Sequence, residues 1–138
     1  MRIDPRRFGL RAPPFELDPL RALGLYWAAT GAWALVDMRT FELVTGPKTD
    51  RWLVQSFGAL VSATGLGLLV ADGPQGRRDA ARIGTLGALA IATCEMVFVK
   101  RRQIRPIYLA DAAVELGLVA AMMIASGPRV TKRPTVTA

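Results

Sequence analysis

Three carboxylates stand inside otherwise apolar stretches of this chain: Glu95, Asp111 and Glu115. Residues four apart on a helix lie one above the other, so Asp111 and Glu115 share a face with Leu118 and Met122. Glu95 lines up in the same way with Ala88 and Gly84, a narrow face that admits a close neighbour. At a rise of about 1.5 Å per residue, Glu115 falls about 3 Å from the middle of its stretch, Glu95 about 6 Å and Asp111 about 9 Å. All three are displaced toward segment 100–106, and Gln55 occupies the same half of its own stretch.

If these stretches cross a bilayer, the polar atoms are gathered in one leaflet. A carboxylate at the bilayer centre costs about 2.5–3.5 kcal/mol on insertion scales, so it persists only with partners or with its proton. Two readings follow. In the first, Glu95 and Asp111 pair with Lys100, Arg101, Arg102 or Arg105, and a neutral Glu115 is hydrogen-bonded to Gln55, Tyr108 or an indole N–H. In the second, the acids bind a proton or cation that moves during transport, since an intramembrane ionisable group marks a pathway by default.

Other chemistries are poorly supplied. The chain contains no histidine and a single cysteine, Cys94. The commonest metal and haem ligand and the commonest general base are therefore missing, and neither an internal disulfide nor a CxxC pair can form. Asp111 and Glu115 lie in no aspartyl-protease motif of the Gly-x-Gly-Asp kind. Gly65-Leu66-Gly67 lacks the further residues of a phosphate loop. No catalytic residue, metal site or cofactor is expected.

The elements that must position the acids are legible from charge and punctuation. Trp52–Ala71 is a run of 20 residues without a formal charge, and about 20 apolar residues are needed to cross a hydrocarbon core of about 30 Å. Four such stretches are expected as helices: about 20–36, 52–71, 83–99 and 107–126. Asp18 with Pro19 opens the first, Asp50 or Thr49 the second, Asp79 the third and Pro106 the fourth. Gly73-Pro74 stops the second and Gly127-Pro128 the fourth. A soluble bundle would need a polar stripe on each helix, and Trp52–Ala71 offers only Gln55, Ser56, Ser62 and Thr64. The expected fold is an all-α integral membrane four-helix bundle over 18–127, with tails at 1–17 and 128–138.

Small residues recur every four positions at Ala59, Ala63 and Gly67, at Gly84, Ala88 and Ala92, and at Ala113, Gly117, Ala121 and Ala125. Such ladders let helix backbones approach closely in lipid. Trp27, Trp33, Trp52 and Tyr108 are expected as anchors at the membrane interfaces, and Phe41–Trp52 as an interfacial turn reversed at Gly46-Pro47.

The net charge is +7. Its basic residues flank the apolar runs instead of forming one stripe with interleaved aromatics, which points to anionic lipid headgroups and away from nucleic acid. With four spans, both termini and segment 72–82 share one side and carry eleven of the 18 Lys and Arg. The positive-inside rule then places the termini in the cytoplasm of a bacterial inner membrane. The N-terminal tail mixes Phe8, Leu10 and Phe15 with Arg6, Arg7 and Arg11 around three prolines, which suits headgroup level or a partner surface. It does not read as a cleavable signal, because the apolar run starts only near Leu20.

FELVTGPKTDRWLVQSFGALV at 41–61 and IRPIYLADAAVEL at 104–116 resemble a family of small four-span bacterial membrane proteins without a settled activity. The resemblance covers about residues 20–126 and implies the four-span fold. It implies no activity or ligand, and the Pro- and Arg-rich N-terminal extension departs from it. The function expected first is a non-catalytic accessory subunit of a larger membrane complex, photosynthetic or respiratory in kind. The alternative is a small proton- or cation-coupled transporter acting as an oligomer.

Overall fold

The computed structural model describes residues 17–127, which form five helices and, among the described residues, no strand. Helix α1 spans Pro19–Val36, and its start follows from local chemistry. The Asp18 side chain accepts from the Arg21 backbone N–H at 3.1 Å, and Pro19 occupies a first-turn position where its missing N–H is not needed. Asp37 ends α1 and also caps α2, Met38–Thr45, by accepting from the Thr40 N–H. Helix α3 is Arg51–Val70, α4 is Gly73–Lys100 and α5 is Tyr108–Ala125.

The long helices alternate in direction as two hairpins. In one, α2 and the turn at Gly46 return the chain from α1 into α3. In the other, a short loop returns α4 into α5. The α1–α3 pair is the most extensive contact in the molecule, and glycine makes it so. A Cβ built on Gly65 would lie 2.5 Å from the Gly24 carbonyl oxygen, and one on Gly58 would lie 2.8 Å from that of Gly31. Each helix thus presents two glycines seven residues apart to its antiparallel neighbour. Between them the Ser62 hydroxyl donates to the Ala28 carbonyl at 3.0 Å. Backbone contact of this kind supplies association where lipid removes the hydrophobic drive.

The distribution of side chains is inverted relative to a soluble bundle. Leu60, Leu66, Leu86 and Ile124 are exposed, whereas Glu95 and Glu115 are buried. In water the exposed leucines would be costly and the buried acids more so. Three helices, α3, α4 and α5, are long and apolar enough to cross a membrane, where four were expected. Helix α1 falls short because Arg21, Tyr26, Thr30 and two tryptophans dilute its apolar residues.

Other boundaries differ for identifiable reasons. Helix α4 begins ten residues before Ile83, its expected start, because Gly73-Pro74, which ends α3, also opens α4. Asp72 accepts from the Gly73 N–H, and proline is tolerated in a first turn. Arg77 in this extension pairs with Asp18 at 2.6 Å, tying α4 to the start of α1. Residues 41–45, the first part of the turn expected over Phe41–Trp52, belong to α2, and the chain reverses after it at Gly46. Of the three small-residue ladders, only Gly84, Ala88 and Ala92 is buried throughout; those of α3 and α5 look mainly outward. The glycines that pack α3 are Gly58 and Gly65 instead. The tails at 1–16 and 128–138 lie outside the described residues.

Gly65→Ala should therefore destabilise the bundle by about 1–3 kcal/mol through overpacking. Gly117→Ala, whose Cβ would meet nothing within 4 Å, should leave it unchanged or slightly firmer. Unfolding in mixed micelles, followed by far-ultraviolet circular dichroism, compares the two. Equal effects would show that the α1–α3 glycine contact does not hold the hairpin.

Candidate functional site

Helix periodicity brings the acids to one place. On α4 the buried residues Gly84, Ala88, Ala92 and Glu95 form one stripe, and on α5 Ala112, Glu115, Val119 and Met122 form another. Both stripes face α1, so the acids of the second hairpin meet the aromatic pair Tyr26-Trp27 of the first. The Trp27 Nε1–H donates to Glu115 Oε1 at 2.7 Å, and the Tyr26 hydroxyl donates to Asp111 Oδ1. The Trp27 ring is seated over Gly87 of α4, where an added Cβ would lie 2.6 Å from its edge. Glu95 is close enough to Asp111 and Glu115 to interact with both electrostatically.

Burial grades along the cluster. Asp111 is half-buried on the first turn of α5, nearest the α4–α5 loop. Glu95 is 7% exposed and Glu115 1% exposed. One oxygen of each, Glu95 Oε2 and Glu115 Oε2, is buried without a hydrogen-bond partner. Toward the opposite end the core consists of Leu20, Leu23, Leu68, Val119 and Met122. The cluster is thus closest to one end of the bundle and backed by an apolar plug toward the other.

The expected ion pairs are not formed. Among the described residues the salt bridges join Arg51 to Glu42, Arg77 to Asp18 and Arg82 to Asp79. None joins Lys100, Arg101, Arg102 or Arg105 to Glu95 or Asp111. The physical reason is direction: the acids face α1 inside the bundle, while these four cations are exposed at its end. Of the partners foreseen for Glu115, the indole N–H is the one realised. Gln55 is half-buried on α3 and takes no part in the hydrogen bonds of the cluster, and Tyr108 instead accepts from Lys48 Nζ at 2.9 Å.

The tryptophans divide. Trp27 is a core residue at 3% exposure and not an interface anchor. Trp52 is 68% exposed. Trp33 donates to Thr40 Oγ1 and packs edge-on against Phe41 with ring centroids 5.4 Å apart, holding α2 to α1. Helix α2 is further tied by the two hydrogen bonds from Arg51 to Glu42. Those bonds hold the Glu42 carboxyl below its usual range, so this tie is present above the ordinary glutamate range and is lost only as pH falls through the lowered value. Tyr26 was not foreseen. Its signal in the sequence was a polar-tipped aromatic beside Trp27 in the middle of the least apolar stretch.

No family model, curated protein or solved structure matches the chain. The fold and the site define a membrane-type helical bundle with a carboxyl cluster in its interior. Among the described residues no three acid or thiol side chains converge where a metal ion could be held. Buried carboxyls with no cation beside them avoid a large desolvation cost by holding protons.

Trp27→Phe removes the indole donor and should cost about 1–3 kcal/mol by orphaning the buried Glu115 oxygen. In a Glu115→Leu background the same change should cost clearly less, because no acceptor remains to be orphaned. Unfolding of the four proteins in mixed micelles closes this cycle. An equal cost in both backgrounds would mean that Trp27 acts by packing alone.

Proposed function

We propose that this chain is a four-span protein of a bacterial inner membrane, with cytoplasmic termini, whose interior carboxyl cluster takes up and releases a proton in coupled transport. The observation that carries the proposal is a pair of buried glutamates, each with one oxygen that has no hydrogen-bond partner among the described residues, and no cation among those residues paired to either. The accessory-subunit reading drew its weight from ion pairs that would have fixed Glu95 and Asp111 as structural charges. Without those pairs the acids are free to exchange protons.

Packing supports a fourth crossing beside the three apolar helices. Helix α1 lies antiparallel to α3 through two glycine contacts seven residues apart, so if α3 crosses, its partner crosses with it. The residues that dilute α1 include Tyr26 and Trp27, and these face the acids instead of lipid. At 18 residues α1 is about 27 Å long, close to the hydrocarbon thickness.

Asp111, half-buried near the α4–α5 loop, is the natural point of proton entry. Glu95 and Tyr26 adjoin it, and Glu115 lies one helical turn deeper. The apolar plug beyond Glu115 suits a gated site, from which a proton reaches the far side only when the helices rearrange. A second reading keeps the subunit role: the outward ladders Ala59, Ala63, Gly67 and Ala113, Gly117, Ala121, Ala125 offer faces for other membrane helices. Transport by an oligomer uses the same faces.

Reconstituted into liposomes with a trapped pH indicator, the wild-type chain should dissipate an imposed pH gradient faster than empty vesicles. Glu115→Gln keeps shape and one hydrogen-bond acceptor but cannot titrate. It should remain folded and lose at least about tenfold in rate, the loss expected when a general acid–base group is removed. Wild-type flux no faster than empty vesicles, or flux unchanged in the variant, would favour the subunit reading.

A further inference from the structure

At the end of the bundle nearest the acids, the turn after α2 and the loop after α4 enclose an open groove of about 670 Å3 that the proton site does not use. Its lining carries three cations, Lys48, Arg102 and Arg105, against one acid, Asp50, a surplus of two positive charges. Below them the wall is apolar: Leu53, Val54 and Val99, at the ends of α3 and α4. We infer that this groove binds the phosphate headgroup of an anionic phospholipid, with the start of its acyl chains against that apolar wall.

The cations are held differently. Arg105 is fixed: its guanidinium donates to the Leu43 carbonyl at 3.3 Å, and its side chain crosses Gly46 so closely that a Cβ there would lie 2.9 Å from Nε. Gly46 also has φ +95°, so glycine answers both the turn and the arginine. Lys48 donates to the Tyr108 hydroxyl and the Thr45 carbonyl, which fixes its charge in place and leaves one donor. Arg102 is the reverse case. It is exposed, makes no ion pair among the described residues, and sits at φ +57°, a backbone conformation that non-glycine residues rarely adopt. Its left-handed backbone closes the end of α4, with the Arg102 N–H on the Val99 carbonyl and the Gln103 N–H on the Phe98 carbonyl, and this turn places the guanidinium at the groove.

The occupant is a lipid and not a free anion because the site is amphiphilic and lies where the apolar helices end. Trp52, 68% exposed beside Leu53, marks the headgroup level. Basic pockets among membrane helices recognise anionic headgroups through charge-assisted hydrogen bonds to phosphate. Zwitterionic lipid offers the same phosphate but cancels it with its own cation.

The full-length chain in detergent, titrated with short-chain phosphatidylglycerol and observed by native mass spectrometry, should retain this lipid at least about tenfold more tightly than phosphatidylcholine. Arg102→Gln alters an exposed side chain and should reduce the preference severalfold with helicity unchanged. Arg101→Gln, outside the groove, should keep it. Equal retention of the two lipids, an unchanged preference in Arg102→Gln, or full competition by inorganic phosphate at equal concentration would each overturn the proposal.

Discussion

The hydrogen bond from the Trp27 indole to Glu115, with its neighbour from Tyr26 to Asp111, is the constraint on which the rest of the structure depends. Within each hairpin the helices are joined by a short connection and by close packing. Between the hairpins these two bonds are the polar ties in the interior, with Arg77 to Asp18 at one end and Lys48 to Tyr108 at the other. They fix the rotation of α1, because a residue pair on adjacent positions must reach acids on two turns of α5. Once α1 is so oriented, Gly24 and Gly31 on the adjoining face meet Gly65 and Gly58 of α3. One helix therefore serves two kinds of contact, polar toward α4 and α5 and backbone-close toward α3. That double duty explains why a helix carrying Tyr26, Trp27 and Thr30 in its middle lies at the centre.

Much of this was legible in the sequence, and the reasons for the misses are physical. Asp18-Pro19, Asp50 and Pro106 are local signals, and the helices they predict appear within a residue or so of the expected starts. Gly73-Pro74 was misread because one dipeptide can end a helix and start the next. The ladders of α3 and α5 were misassigned because spacing alone does not say which side of a helix meets a neighbour. The glycine pairs at 24 and 31 and at 58 and 65 repeat every seven residues, a period matched to two turns, and this was the better signal.

The acids were found by type and position, but their partners were not. Charge counting favoured the nearby cations of segment 100–105, since opposite charges close in sequence make an economical pair. The fold separates them by pointing the acids inward and the cations out. What remains inside is a set of carboxyls, two of which, Asp111 and Glu115, are bonded to the neutral donors Tyr26 and Trp27. A neutral donor holds a carboxyl in position without fixing its charge, whereas an arginine would hold it permanently ionised. The same exclusion leaves Arg102 and Arg105 at the bundle end, where they form a basic groove. The two sites thus have a common origin in the failure of the acids and the cations to meet.

The central claim is that the interior glutamates carry protons at neutral pH. Infrared spectroscopy of the wild-type protein in lipid tests this directly through the carbonyl stretch of protonated carboxyl groups, which ionised surface acids do not contribute. The account predicts such a band at neutral pH, reduced in Glu115→Gln and little altered in Asp79→Asn, whose acid is half-exposed and paired with Arg82. A neutral-pH spectrum showing only ionised carboxylates would contradict it.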